Sequence, residues 1–292
     1  MSSIFEKLKD IPLLYPDFVA KSSHYEVIMG SFAYGVSNDT SDLDVYGFCI
    51  PPKEDLFPHL KGEIIGFGHQ SKRFEQYQKV GVVKDQKEYD ITMYTITKYF
   101  KLCMDNNPNM IDSLFVPENC VIHSTKIGDI VRENRKLFLH KGSWHKFKGY
   151  SYSQITKMQS QLRVGKRKET VDKYGYDIKF AYHCVRLMNE VEQILIEQDL
   201  DLQRNREQLK SIRKGEWTQD EILNYFKEKE FFLEKAYAES KLREKPAEDE
   251  IKQLLLNCLE EEYGSLDQLI VVKDKNQKAL NEIKAVIERY KI

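Results

Sequence analysis

Three aspartates carry the chemistry of this sequence. Asp42 and Asp44 stand two apart in Ser41-Asp-Leu-Asp-Val-Tyr-Gly47, and Asp90 lies in Glu88-Tyr-Asp-Ile-Thr-Met-Tyr94. Alternate side chains of an extended strand share a face, so the Asp42 and Asp44 carboxylates project together while Leu43 and Val45 turn the other way. Asp90, between Tyr89 and Ile91, supplies a third carboxylate from a separate strand, with Glu88 on the same face as a substitute. Hard oxygen ligands of this kind, completed by water and phosphate oxygens, suit magnesium or manganese. Two such ions about 4 Å apart bind the attacking and leaving oxygens of an in-line displacement at phosphorus. The spacing predicts one ion shared by Asp42, Asp44 and Asp90 at the attacking hydroxyl. A second ion, on Asp42, Asp44 and a triphosphate, would neutralise departing pyrophosphate. Asp90 is then nearest the nucleophile and placed to accept its proton.

Ahead of the acids, an apolar run ends in Gly30-Ser31. A strand that breaks at Gly-Ser leaves backbone N–H groups unpaired at a tight turn, a cradle for phosphate oxygens. Glycine admits the close approach and serine adds a hydroxyl. Taken singly, Gly-Ser is a turn and Ser-Asp-x-Asp is as often an Asx-turn or a helix cap. The conjunction of a preceding strand, ten intervening residues and a distant strand acid supports the functional reading. Asp39 reads as a turn cap.

The elements that must position these groups follow from pattern. Tyr25 to Met29, Leu43 to Ile50 and Glu88 to Tyr94 read as strands rich in β-branched and aromatic residues. Residues 51–87 form a long polar connection, and a stretch that long is functional or carries small elements of its own. Ile96, Tyr99, Phe100, Cys103 and Met104 mark an amphipathic helix that stops at Asn106-Asn107. Asn107 caps the next helix, with Pro108 in its first turn. From about residue 126 the chain reads as helical. Residues 174–198 carry Ile178, Tyr182, Val185, Met188, Val191 and Leu195 on one stripe. Thr218 to Glu221 has the capping-box pattern, Pro246 precedes a further helix, and Asp274 to Gln277 caps a last one. We divide the chain into a catalytic domain, 1–125, and a helical C-terminal domain, 126–292, with a soft boundary.

GSFAYG, SDLDVYG, EYDITMYTITKYFKL, NNPNMIDSLF and YGYDIKFAYHCVRLMNE together resemble the polymerase β nucleotidyltransferase superfamily, and within it the RlaP-type family associated with RNA repair ligases. The resemblance runs over roughly residues 24–200. It implies an α+β fold: a small mixed β-sheet core with flanking helices, followed by a mostly helical part. It further implies magnesium dependence and transfer of a nucleoside monophosphate from a nucleoside triphosphate to a hydroxyl.

Lys179, His183 and Arg186 fall at i, i+4 and i+7, one helical face within the last of those stretches. Set against a triphosphate they would be nucleotide-binding cations; otherwise they are a solvated face around a buried imidazole. A second basic region, residues 132–168, has eleven Lys or Arg against one acid, Glu133. Trp144, Phe147, Tyr150 and Tyr152 are interleaved with those charges, as in a groove for single-stranded nucleic acid. The alternative is a helix whose aromatics face the core.

Composition bounds the rest. Of 292 residues, 41% are hydrophobic and 31% charged, the balance of a globular protein with room for a real core. Net charge near zero argues against a polyanion binder held by overall charge. The five cysteines are widely spaced with no CxxC, so we expect reduced, buried thiols and a cytoplasmic setting. No run has the ~18 apolar residues of a membrane span. The expected activity is nucleotidyl transfer to an RNA end; the alternatives are transfer to a protein or small-molecule hydroxyl, and a silent nucleotide or RNA sensor.

Overall fold

The structure is a computed structural model that describes residues 3–38, 41–70, 72–159, 166–264, 283–284, 286–287 and 289. Asp39, Asp274 to Gln277 and residues 160–165 of the basic segment, including Arg163, lie outside the described residues.

Short helices α1 (Ile4–Lys7) and α2 (Asp17–Lys21) precede β1 (Ser23–Ile28), α3 (Gly30–Ala33), β2 (Leu43–Cys49), α4 (Lys53–Leu56), β3 (Gln76–Lys84) and β4 (Lys87–Thr95). Then come α5 (Ile96–Met104), α6 (Pro108–Leu114) and the last strand, β5 (Val121–Ser124). The rest is helical: α7 (Lys126–Glu133), α8 (Ser143–Gln159), α9 (Lys166–Tyr174), α10 (Ile178–Glu197), α11 (Arg206–Arg213), α12 (Gln219–Glu239) and α13 (Glu248–Tyr263). The fold is α+β, a five-stranded mixed sheet followed by a mostly helical region.

Strand order is β3-β4-β2-β1-β5, with β2 and β4 parallel and the other neighbours antiparallel. Each sheet face is buried differently. Leu43, Val45, Cys49, Tyr89, Ile91 and Met93 point to one side and pack under α1 and α2. Val27, Phe48 and Tyr25 join the larger core, which runs through α5, α6, α8, α10, α12 and α13. The aspartates alternate with the first set, so they belong to the face turned toward the helical body.

Two strands lie where the sequence pattern did not place them. β3 occupies the second part of the 51–87 connection, and its burial pattern shows only Tyr77 and Val82 fully enclosed. It is an edge strand with Gln and Lys on its surface, which blunts the alternation that marks strands. β5 has four residues, each half-buried. The predicted caps form: Asn107 Oδ1 accepts from Asn109 N–H at 3.1 Å, and Thr218 and Glu221 make the reciprocal capping box. The long helix begins at Ile178, the first residue of its apolar stripe and four residues after the expected start at 174, because buried Asp177 caps it by accepting from Lys179 N–H at 3.0 Å.

Candidate active site

The site begins where β1 ends. Met29 N–H donates to the Asp44 carbonyl at 2.7 Å, which fixes the end of β1 against the start of β2. Gly30 follows with φ +63°, and a β-carbon built there would stand 2.1 Å from Asp44 Oδ2. No other residue fits, on grounds of both backbone angle and space. The Gly30 backbone and the Asp44 carboxylate are therefore in direct apposition, and half-buried Ser31 opens the next turn beside them.

Parallel pairing sets Asp44 directly opposite Asp90. Both are half-buried, whereas Asp42, one residue ahead of β2, is exposed. Burial raises the Asp44 carboxyl above the usual range; repulsion from Asp90 and then from Asp42 adds to that, and Lys179 opposes it. These side chains therefore share one electrostatic site. Asp90 Oδ1 accepts the Gly81 N–H at 2.8 Å, from a bulge in β3 where Gly81 has φ +71°. Glu88, the possible substitute for Asp90, is exposed at the strand end.

The three acids are the donor set a hard divalent cation takes. The mutual repulsion felt at Asp44 is what such a cation would relieve. Among the described residues, however, no group of three or more His, Cys, Asp or Glu is already gathered tightly enough to hold an ion. The Asp44–Asp90 apposition is built into the sheet; exposed Asp42 would have to swing in.

The three cations expected on α10 part company. Lys179, in the first turn, is exposed and its charge is felt at Asp44. His183 is half-buried with its ring 4.1 Å from that of Tyr182, centroid to centroid. Arg186 does not reach the site. It is 4% exposed, paired with Asp112 and with Glu190, and stacked 4.2 Å from the Tyr34 ring centroid. Seven residues along α10 carry that face from the cleft into the core, so phosphate contact by Arg186 is replaced by a structural role. The Tyr34 hydroxyl donates to Asp112 at 2.8 Å, so this ionic cluster holds the turn that begins at Gly30. Motif residues Asp112, Arg186 and Glu190 meet here.

The basic segment also divides. Trp144 and Phe147 are core, 1% and 0% exposed. Lys148 pairs with Glu230 and Glu234, Lys141 with Glu244, Lys136 with Asp199 and Arg132 with Glu118. Much of the charge on its described residues is thus met within the chain, and those residues do not form the interleaved groove expected of the segment. Only Tyr150 and Tyr152 show open rings, and the Tyr152 hydroxyl donates to Glu230.

Sequence reasoning missed Arg213. Its Nη1 donates to the Val36 carbonyl at 2.7 Å, just past the Gly30 turn, and its guanidinium carbon is 5.4 Å from the Tyr182 ring centroid. Among the described residues it has no carboxylate partner. On α11, with Glu207 and Lys210 nearby, it reads as one charge of a solvated helix, and no local signal sets it apart. Tyr46 and Tyr94 were also passed over, although a local signal could have found them: they continue the faces of Asp44 and Asp90 at even spacing along β2 and β4.

The glycine turn, the Asp42/Asp44 pair and Asp90 lie in the stretches on which this sequence resembles polymerase β-type nucleotidyltransferases. This chain belongs to the RlaP family, the RNA repair pathway DNA polymerase beta family, whose model matches residues 22–257. It is also 28% identical over 130 residues to an uncharacterized 38.9 kDa protein of the nrdC-mobD intergenic region of Enterobacteria phage T4. That alignment covers 44% of this chain and 36% of the phage protein. Among solved structures it is similar to a nucleotidyltransferase-like protein from Exiguobacterium sibiricum, with 8% identity and a TM-score of 0.30 over 88% of this chain and 71% of the other. A likeness that low adds nothing to the family match. Among the described residues no helix is long and apolar enough to cross a membrane, and all five cysteines are buried and free.

Proposed function

We propose that this chain transfers a nucleoside monophosphate from a nucleoside triphosphate to a hydroxyl at an RNA end, with release of pyrophosphate. The observation that carries the reading is the apposition of Gly30, Asp44 and Asp90. Asp42, Asp44 and Asp90 would hold magnesium or manganese, which when bound supplies charge neutralisation at the reacting phosphate and lowers the pKa of the attacking hydroxyl.

The remaining work falls to this chain's own groups. The Gly30 backbone, bare of a side chain, admits a phosphate next to Asp44, and the Ser31 hydroxyl donates to it. Lys179 and Arg213, cations without carboxylate partners among the described residues, flank that turn and meet the β- and γ-phosphates. Asp90, held by the Gly81 N–H on one oxygen, presents the other to the acceptor hydroxyl and takes its proton. The new bond joins acceptor oxygen to the α-phosphorus; the bond to pyrophosphate breaks, and its charge falls to the two cations. The family's RNA repair description supports an RNA acceptor over a protein or small molecule.

The test is incubation with nucleotides labelled at the α-phosphate, magnesium or manganese, and tRNA, short RNA, DNA or no acceptor. Label should enter RNA and disappear in Asp44→Asn and Asp90→Asn. Labelling of the protein alone, or nucleotide binding with no turnover under any metal, would defeat the reading.

A further inference from the structure

Beyond the carboxylates, the same sheet face carries a row of rings. Register pairs Asp44 with Asp90, then Tyr46 with Thr92, then Phe48 with Tyr94. Phe48 is fully buried against Tyr99. Tyr46 and Tyr94, diagonal neighbours between that core and the acids, are only half-buried. Their rings meet edge to face, centroids 6.4 Å apart and planes at 70°. Two rings set this way make a corner, in which a flat group laid on one meets the rim of the other.

The hydroxyls sharpen the point. A tyrosine enclosed by its own protein normally finds a hydrogen-bond partner. Tyr25, Tyr34 and Tyr99 all do so within the core. Among the described residues, the Tyr46 and Tyr94 hydroxyls bond no protein group and are not sealed from solvent, which leaves them open to a ligand. At the outer end, Tyr150 of α8 is 39% exposed, and its hydroxyl accepts from Asn107 Nδ2 at 3.0 Å. Asp44 and Tyr46 are two residues apart, about 7 Å along the strand, and Asp90 and Tyr94 four, about 13 Å. Those spans lead from a reacting phosphate to the base and sugar attached to it.

We infer that Tyr46 and Tyr94 form a nucleoside-binding corner, in which a nucleobase stacks on a ring and the phenol hydroxyls meet the sugar or the base edge. The inference rests on the nucleotidyl-transfer reading of the adjoining acids. The nucleoside has two possible sources, the triphosphate and the terminal residue of the acceptor, and both present a flat base joined to a ribose beside a phosphate.

The experiment measures equilibrium binding of three probes by calorimetry: a nucleoside triphosphate, inorganic tripolyphosphate and a short single-stranded oligoribonucleotide. The full-length parent is compared with Tyr46→Ala, Tyr94→Ala and the ring-retaining Tyr94→Phe. If the corner holds the incoming nucleotide, the alanine variants bind the triphosphate on the order of tenfold or more weakly. Tripolyphosphate binding is unchanged, and Tyr94→Phe keeps most of the affinity. If it holds the acceptor, the same loss falls on the oligoribonucleotide and spares the triphosphate. Unchanged binding of both nucleosidic probes overturns the corner, as does an equal loss for tripolyphosphate, the mark of a merely structural role. Should Tyr46→Ala fail to fold, Tyr46→Leu keeps apolar volume without a flat ring and is read in the same way. A parent that binds neither nucleosidic probe sinks the corner together with the nucleotidyl-transfer reading; a parent that binds them while the tyrosines prove irrelevant sinks the corner alone.

Discussion

Around Asp44, carboxylates from two parallel strands and their preceding loop meet the exposed ammonium of Lys179 at the open side of the sheet. Around Arg186, two carboxylates, one guanidinium and a phenol lie sealed between α3, α6 and α10. Acids gathered about a base are common to both. In the sealed cluster Asp112 Oδ2 accepts from Tyr34 and Arg186, and both Glu190 oxygens accept from Arg186, so each acid is paired with the one cation, although Asp112 Oδ1 and Arg186 Nε are buried without a hydrogen-bond partner. In the open cluster only one carboxylate oxygen, Asp90 Oδ1, has a protein donor among the described contacts, and the acids repel. Acids paired with a cation inside the core support structure, and acids that face one another at an open edge with few protein donors are placed to take a ligand.

The sharpest way to break this contrast is to remove the central cation of the sealed cluster. Arg186→Met leaves two buried carboxylates without compensation and should cost about 3–5 kcal/mol, read from denaturant unfolding. A variant that stays near parental stability would show that the cluster is not what holds the Gly30 turn. The matching change in the open cluster should act oppositely. Asp44→Asn is expected to cut transfer by about a hundredfold or more, roughly 2.7 kcal/mol of barrier. Its stability should hold or rise near pH 7. The sign follows from linkage: a folded-state pKa raised by burial and repulsion gives stability at low pH that is lost as pH climbs through it, so an ionised Asp44 burdens the fold at neutrality. Magnesium or manganese should raise the melting temperature of the parent and leave that of Asp44→Asn nearly unmoved.

Smaller effects test the joints between the clusters. Gly30→Ala meets both a left-handed backbone and the Asp44 carboxylate, for a stability cost of about 1–2 kcal/mol and a larger loss of activity. Equal losses in the two would show that the turn has no special part in the chemistry. Glu190→Gln should be the mildest. Burial raises the Glu190 carboxyl well above its usual range, so its contribution to stability fades as pH rises. The glutamine variant should match its parent near pH 4 and gain on the order of 1 kcal/mol by pH 8 in pH-dependent unfolding.

Much of this was legible in the amino acids. Helices α5, α6, α10 and α12 announce themselves by apolar stripes and caps, which are local interactions. The spacing of Gly30, Ser31, Asp42 and Asp44 reads directly, since turn and strand periodicity act over a few residues. β3 was hidden because an exposed edge strand has little hydrophobic alternation to show. Lys179 and Arg186 share one helical face in the sequence, yet one emerges beside Asp44 and the other sits in the core. Periodicity assigns a face; it does not say at what point along the helix that face leaves solvent.

Chain order alone determined that a strand would end in Gly-Ser and that acids would follow at strand spacing, because backbone sterics and side-chain alternation need no distant partner. Tertiary structure decided the rest: the parallel pairing that sets Asp90 opposite Asp44, the burial that turns Arg186 into a brace, and the approach of Arg213 to the Gly30 turn. Each joins residues dozens to well over a hundred positions apart, and only packing of the sheet against the helical body selects such meetings from the many that local propensity allows.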